Sequence, residues 1–386
     1  MLLKYCVRCL LPDSKPDLRF NAEGVCAACQ AYEDRGEVDW DARHAEFMGI
    51  VEKYRDPTHT RWDCIIPVSG GKDSTFQVIK MLELGLRPLC VTATTCDLSD
   101  IGLENIENIK QLGVDHVTFS PNPVVRRKLN RIGLEEVGDI SWPEHVGIFT
   151  IPVRVAVQFG VPLVIWGENS QNEYGGPEAA TASRTLDRRW LEEFGGLLGM
   201  RVSDLGETRG IAVGDLAPYT YPSADDLERV GVTGLFLGHF FPWDGLSNAL
   251  IARASGFKTL GSVVEGSMVD YENIDNYQVG IHDYFKFLKF GFGRATDIAS
   301  LHVRRGRLTR EQAVDIVRRH DGKFPWTYLG KPLADILKPL GVGLDEFMAI
   351  CNRFTNESLF LTNKDGSLLR DSEGNLTKYS YDNVSL

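Results

Sequence analysis

Along the middle of this chain, short runs of consecutive apolar residues alternate with longer segments in which apolar positions recur every three or four residues. The first pattern belongs to buried strands and the second to amphipathic helices. Strands are expected at 64–68, 89–93, 115–119, 162–166 and 234–237, with helices over 76–82, 103–112, 124–132 and 153–159 between the first four. Such alternation predicts an α/β fold with a parallel sheet covered on both faces and ligands at the carboxyl ends of the strands. Before the first strand, 39–54 reads as a charged helix or linker that Asp56-Pro57 ends. After the last, a helix at 246–254 leads into a loop-rich stretch with Asp270, Tyr271, Glu272 and Asn273, and the final third is largely helical. Thr309-Arg310-Glu311-Gln312 is a capping box opening a helix at 313–319. Asp365-Gly366 and Glu373-Gly374 predict short turns between small strands in the tail.

Composition narrows the class. The 386 residues, 43% hydrophobic, suffice for two or three domains with a sizeable core. A formal net charge of −11 argues against a nucleic acid as main partner, since phosphate backbones are met by an excess of Lys and Arg. No apolar run approaches a bilayer's thickness, and Met1-Leu2-Leu3-Lys4 leads straight into a cysteine pair, so the cytoplasm is the expected compartment, with no membrane partner. Cys6-x2-Cys9 and Cys26-x2-Cys29, sixteen residues apart, have the spacing of a structural zinc site. A pair of disulfides is the competing reading, disfavoured by a reducing compartment. Cys64, Cys90, Cys96 and Cys351 are scattered, the first two in strand-like runs where a thiol acts as a small hydrophobe.

Candidate chemistry concentrates just beyond three strand ends. The first is Ser69-Gly70-Gly71-Lys72-Asp73-Ser74, where a strand enters a glycine turn and a helix follows at once. Unpaired helix-start N–H groups, close backbone approach and a lysine charge make this a phosphate-binding layout, and its order excludes G-x-x-x-x-G-K-[ST]. The second place carries Thr92 and Thr94, the third Gly167, Glu168, Asn169, Glu173 and Tyr174. Carboxylates beside a triphosphate bring Mg2+, and Asp73 and Glu168 are the candidates, a capping role being the alternative for Glu168. Further on, Lys286, Lys289 and Arg294 flank a Gly-Phe-Gly break and could meet a phosphorylated or acidic ligand, or form a solvated face over an aromatic core.

Ser69-Gly-Gly-Lys-Asp-Ser74 resembles the signature of the PP-loop ATP pyrophosphatases. Together with the cysteine pairs, Gly167-Glu-Asn169 and Lys289-Phe-Gly-Phe-Gly-Arg-Ala-Thr-Asp297, it resembles the bacterial N-acetyl sugar amidotransferases of surface-polysaccharide and nonulosonic-acid pathways. The resemblance implies a PP-loop, adenine nucleotide alpha-hydrolase-like domain with an N-terminal zinc knuckle. It also implies conversion of an acetamido group on a nucleotide-linked sugar into an acetamidino group, with ATP going to AMP and pyrophosphate. Lys72, Asp73 and Glu168 would be catalytic; Ser69, Gly70, Gly71, Lys72, Asp73, Ser74, Thr92, Thr94 and Gly167 would bind ATP and Mg2+. Asn169, Glu173, Tyr174, Lys286, Lys289 and Arg294 would bind the sugar nucleotide, and Cys6, Cys9, Cys26 and Cys29 would hold Zn2+. The expected division is a knuckle at 1–38, a helical linker at 39–60, the ATP-binding domain at 61–260 and a mainly helical region for substrate or partner at 261–386. No cysteine begins the chain or sits in a G-x-C-x-G elbow, so ammonia is expected from a separate glutaminase. Homo-oligomerisation is left open. The rival readings are a PP-loop tRNA-thiolating enzyme, which the acidic charge and absent basic extension disfavour, and a non-enzymatic assembly module.

Overall fold

The structure is a computed structural model that describes residues 3–58, 60–95, 97–177, 184–186 and 198–379. Its centre is an open parallel sheet of β1 (Cys64–Pro67), β2 (Pro88–Ala93), β3 (Asp115–Phe119), β4 (Leu163–Trp166) and β5 (Thr233–Phe236), in spatial order β3-β2-β1-β4-β5. The chain runs outward from β1 to β3, then returns to lay β4 on the other side of β1. The reversal falls between β1 and β4, where Ile65 pairs with Val164. Crevices of open α/β sheets form at such a switch point.

Alternate side chains of the strands feed two separate cores, as the period of two requires. Cys64, Ile66, Leu163 and Ile165 pack with Phe47, Phe76, Met81 and Phe240 on one face. That face is covered by α1-following helix α2 (Trp40–Tyr54; α1 is Ala27–Asp34) and by α3 (Lys72–Glu83). Ile65, Val91, Val164 and Trp166 pack with Ile151, Val153 and Val155 on the other, covered by α6. Being buried on both faces, β1 and β4 read as continuous apolar runs. β3 lies at an edge and is half exposed.

The remaining helices begin where their caps dictate. Ser99 accepts from Gly102 N to open α4 (Asp100–Lys110), and Asn122 with Pro123 opens α5 (Pro123–Val137), which Gly138 ends at φ +60°. α6 (Trp142–Phe159) starts eleven residues before the expected Val153. The helix runs through Pro152, since burial of α6 between sheet and neighbours outweighs the single lost hydrogen bond. Then come α7 (Ser170–Tyr174), α8 (Leu205–Arg209), α9 (Ala224–Val230) and α10 (Gly245–Ala254), the last capped by Asp244. Cys64, Cys90 and Cys351 are buried, and burial pushes their thiols up. Cys96 lies outside the described residues.

The C-terminal part holds α11 (Val279–Phe290), α12 (Arg294–Arg304), α13 (Arg310–His320), a hairpin of β6 (Thr327–Tyr328) and β7 (Lys331–Pro332), α14 (Leu333–Leu337) and α15 (Leu344–Phe354). Phe285, Phe287, Phe324, Phe347 and Phe360 form its core, which also takes in Leu134, Ile140, Ala249 and Ala252. The expected capping box at Thr309 and Gln312 is present. In the tail, antiparallel bridges Phe360↔Lys378, Thr362↔Leu368 and Arg370↔Leu376 close the expected turns.

At the N-terminus, the four cysteines are buried together, their sulfurs all within 4.8 Å of one another. Cys6 and Cys29 Sγ lie 3.8 Å apart and Cys9 and Cys26 Sγ 3.6 Å apart. With Zn–S bonds of about 2.3 Å, a tetrahedron has edges of about 3.8 Å, so the donor set fits zinc. Backbone N–H groups of Arg8, Leu11 and Cys26 donate to these sulfurs. The knuckle is clamped to the C-terminal helices: Leu10 N donates to Ser300 Oγ at 3.2 Å, Arg310 reaches the carbonyls of Cys6 and Cys9, and Phe292 packs among the cysteines. A structural zinc contributes on the order of 10 kcal/mol, far above what the few apolar side chains here provide at about 1.5–3 kcal/mol each. Replacing Cys26 by Ser is therefore expected to abolish stoichiometric zinc by elemental analysis and to speed tryptic cleavage after Arg19; retained zinc and protection would contradict the assignment.

Candidate active site at the switch point of the sheet

The turn at 69–74 leaves the end of β1 and enters α3 directly. Gly70 sits at φ +84°, and a Cβ there would lie 2.8 Å from Gly102 O of α4, so both backbone conformation and space demand glycine. Gly71 is the N-cap of α3 and contributes no side-chain cap; its carbonyl accepts from Ser74 Oγ and Thr75 Oγ1, both at 3.0 Å. The turn is held from behind, through α3 and α4, which leaves the helix start facing the cleft.

Lys72 is buried and its Nζ lies 2.5 Å from Asp73 Oδ2 and 2.6 Å from Glu272 Oε1. Burial by itself would lower its pKa, but the two carboxylates outweigh this and hold it well above the usual lysine value. Asn248 Nδ2 of α10 donates to Asp73 Oδ1 at 2.9 Å, fixing that carboxylate from the other side. Asp275 accepts from the Ser69 hydroxyl, and burial, only partly offset by that bond, raises its carboxyl. Glu168 follows the end of β4. Burial, then the nearby charge of Asp73, pushes its carboxyl up to about 8, with Lys72 opposing. Carboxylates that repel one another across a crevice form a donor set suited to a hard dication with oxygen ligands, so Asp73 and Glu168 fit Mg2+.

Ser69, Asp73, Glu168 and Asp275 line a cleft of about 460 Å3 above the carboxyl ends of β1, β2 and β4, with Lys72, Glu272 and Asn248 behind Asp73. Ser69, Asp73, Ser74, Thr92, Gly167, Glu168 and Arg294 all lie on its wall. Thr92 Oγ1 donates to Val68 O at 2.8 Å, tying β2 to the turn. Thr94 is turned toward β3, its hydroxyl on Phe119 O and its carbonyl taken by Arg126 at 2.5 Å. Asn169 is buried beside Gly167. Glu173 is gripped by Arg35 and, at 3.2 Å, by Arg305, while Arg304 holds its carbonyl, so α7 is locked to α12 at this point. Tyr174 sits among Glu272, Arg294, Asp297 and Glu168, and burial followed by the charge of Glu272 raises its phenol.

The three late cations separate. Arg294, the first residue of α12, reaches the cleft wall with its guanidinium braced by Asp283 at 3.0 and 3.3 Å. Lys286 pairs with Asp297 over the Phe292 ring, and Lys289 donates at 2.6 Å to Val137 O, closing the C-terminus of α5. Sequence reasoning passed over Glu272, Asp275, Asn248 and the buried Asp139 with its neighbours His145 and His282. Glu272 was in a stretch marked only as loop-rich; these residues meet the turn by a chain crossing that no local periodicity encodes.

The fold and cleft define an α/β protein with a cleft at the switch point of a parallel sheet. Residues 265–371 match the model of a family described as LPS biosynthesis protein WbpG-like, C-terminal domain. This segment supplies Glu272, Asp275, His282, Asp283 and Arg294 to the site. No curated protein matches the chain. No helix among the described residues is long and apolar enough to cross a membrane.

The raised Glu168 carboxyl has a definite pH signature. Folding favours its protonated form, so this group's contribution is greatest below the unfolded value of about 4.3 and declines until the pH passes about 8. In urea titrations, Glu168→Gln should gain stability over wild type between pH 5 and pH 9, a gap that Mg2+ narrows; a gap independent of pH would contradict the shift.

Proposed function

We propose that this protein is an ATP-dependent amidotransferase of surface-glycan biosynthesis. It converts an acetamido group of a nucleotide-linked sugar into an acetamidino group with release of AMP and pyrophosphate. One observation carries the reading: a serine-flanked Gly-Gly-Lys-Asp turn stands at the switch point, and its Ser69, Asp73 and Ser74 share a cleft with Arg294 from the segment that matches the WbpG-like model.

An amide carbonyl is a poor electrophile with a very poor leaving group, so its oxygen must first be joined to the α-phosphate of ATP. The turn's helix-start N–H groups and Ser69 and Ser74 would hold the departing pyrophosphate, with Lys72 adding positive charge where negative charge grows. Mg2+ bound by Asp73 and Glu168 would supply further electrostatic stabilisation of the phosphates. Arg294, braced by Asp283, offers a planar donor fork for the substrate's phosphate or carboxylate. The chain's other task is alignment of amide oxygen with phosphorus and exclusion of water from the adenylate. Zn2+ in the cysteine knuckle would stabilise the fold away from this cleft. Such a reaction belongs in the cytoplasm, where ATP and sugar nucleotides are made.

Incubation with ATP, ammonium and a UDP-linked diacetamido sugar should yield AMP, pyrophosphate and an amidine gaining ammonia's nitrogen by mass spectrometry. Lys72→Ala should reduce the rate about 100- to 1000-fold. Because the vacated pocket leaves two carboxylates unpaired, Tm and circular dichroism must accompany the assay. Pyrophosphate formation that ignores the sugar, or survives Lys72→Ala in folded protein, would sink the reading.

The nitrogen source gives a separate check. Ammonium should support turnover by the purified chain while glutamine supports it only after a glutaminase is added; equal use of both by the chain alone would remove the need for that partner.

A further inference from the structure

Opposite the turn, the cleft wall contains two histidines that share one buried carboxylate. Asp139, in the link between α5 and α6, is 3% exposed. Its Oδ1 accepts from His282 Nδ1 of α11 at 2.8 Å and from Ser141 N at 2.9 Å, and its Oδ2 lies 3.1 Å from His145 Nδ1 of α6. The rings meet edge to face at 5.0 Å, and both residues line the cleft that holds Ser69, Asp73 and Glu168. Each imidazole turns Nδ1 to the carboxylate, so Nε2, on the far side of the ring, is the nitrogen left for chemistry. The frame is stiff: buried Asn130 of α5 donates to Ile140 O and to Glu144 Oε2, both at 2.7 Å, and lies 3.4 Å from Gln278 Oε1 at the start of α11.

We propose that His282, oriented by Asp139 and backed by His145, is the base that takes the proton released when ammonia enters the substrate. This assignment rests on the amidotransferase reading. Nitrogen's lone pair forms a C–N bond at the carbon of the adenylylated, N-protonated amide. The C–O bond to the adenylyl group breaks, and its electron pair leaves on AMP. One proton is left over when the product keeps its positive amidinium form, and it passes to Nε2 of His282. A carboxylate that accepts Nδ1–H fixes the tautomer and stabilises the imidazolium so formed, as in other Asp–His pairs. The charged groups around the pair are Asp139 and Glu144 on the α5–α6 side and Asp283, Arg294 and Lys289 on the α11–α12 side. Burial alone would lower His145, but Asp139 outweighs it and raises its pKa, a second reservoir for the proton beside His282.

The test separates the two half-reactions in the full chain. Pyrophosphate–ATP exchange with a UDP-linked diacetamido sugar and no ammonia reads adenylylation, and amidine formation with saturating ammonium reads the whole. His282→Gln should depress amidine formation about 100-fold more than exchange and flatten the acid limb of its pH profile. Equal loss of both, or an unchanged rate and profile, overturns the assignment while leaving the amidotransferase reading intact. Absence of exchange in wild type overturns both. Histidine 15N spectra of wild type give a readout free of folding defects: in the neutral ring of His282 the proton should sit on Nδ1 with Nε2 bare, and the opposite tautomer contradicts the proposal.

Discussion

The buried contact of Lys72 with Asp73 and Glu272 is the interaction on which the site depends. A lysine in this environment would shed its proton unless opposing charge were built beside it, and one of its two partners comes from two hundred residues further along the chain. The glycine turn and the C-terminal segment are thereby joined electrostatically: neither keeps a balanced charge without the other. Asn248 extends this from a third direction by holding Asp73, so α3, α10 and the 270–275 stretch meet at one point.

A second tie operates on the outside of the same cleft. The carboxylate of Glu173 receives Arg35 from beside the knuckle and Arg305 from the end of α12, and Arg304 takes its backbone carbonyl as well as approaching Cys9 Sγ. The cysteine cluster, α7 and α12 are therefore tied together, and Arg294 opens the same helix α12 on the cleft wall. This gives the knuckle a reason to exist in a chain with an ample core elsewhere: it fixes elements that the sheet does not reach.

Inside the cleft, acidic groups outnumber the free positive charge. Asp73, Glu168, Asp275 and Glu272 surround Lys72, and Arg294 is already committed to Asp283. An anionic ligand would be repelled by such a wall unless a dication accompanied it. The Asp139 histidine pair lines the same cleft.

Much of this was legible in the order of residues. Short apolar runs located the five strands of the sheet within a residue, because burial on both faces leaves β1 and β4 no room for polar positions, and Gly70 announced a turn that tolerates no side chain. The cysteine spacing likewise foretold a buried cluster, since two-residue gaps place both thiols of a pair on one side of a tight loop. Pairings remote in sequence were not legible: Lys289 looked like a ligand contact and instead closes α5, while Glu272, Asp139 and His282 carried no local pattern at all. Local sequence sets which dihedral angles and which faces each element prefers, and so determines strands, helices and turns. Which charges end up sharing a low-dielectric crevice is decided only when the chain crosses over itself, for Coulomb energy depends on distance through space and not along the backbone.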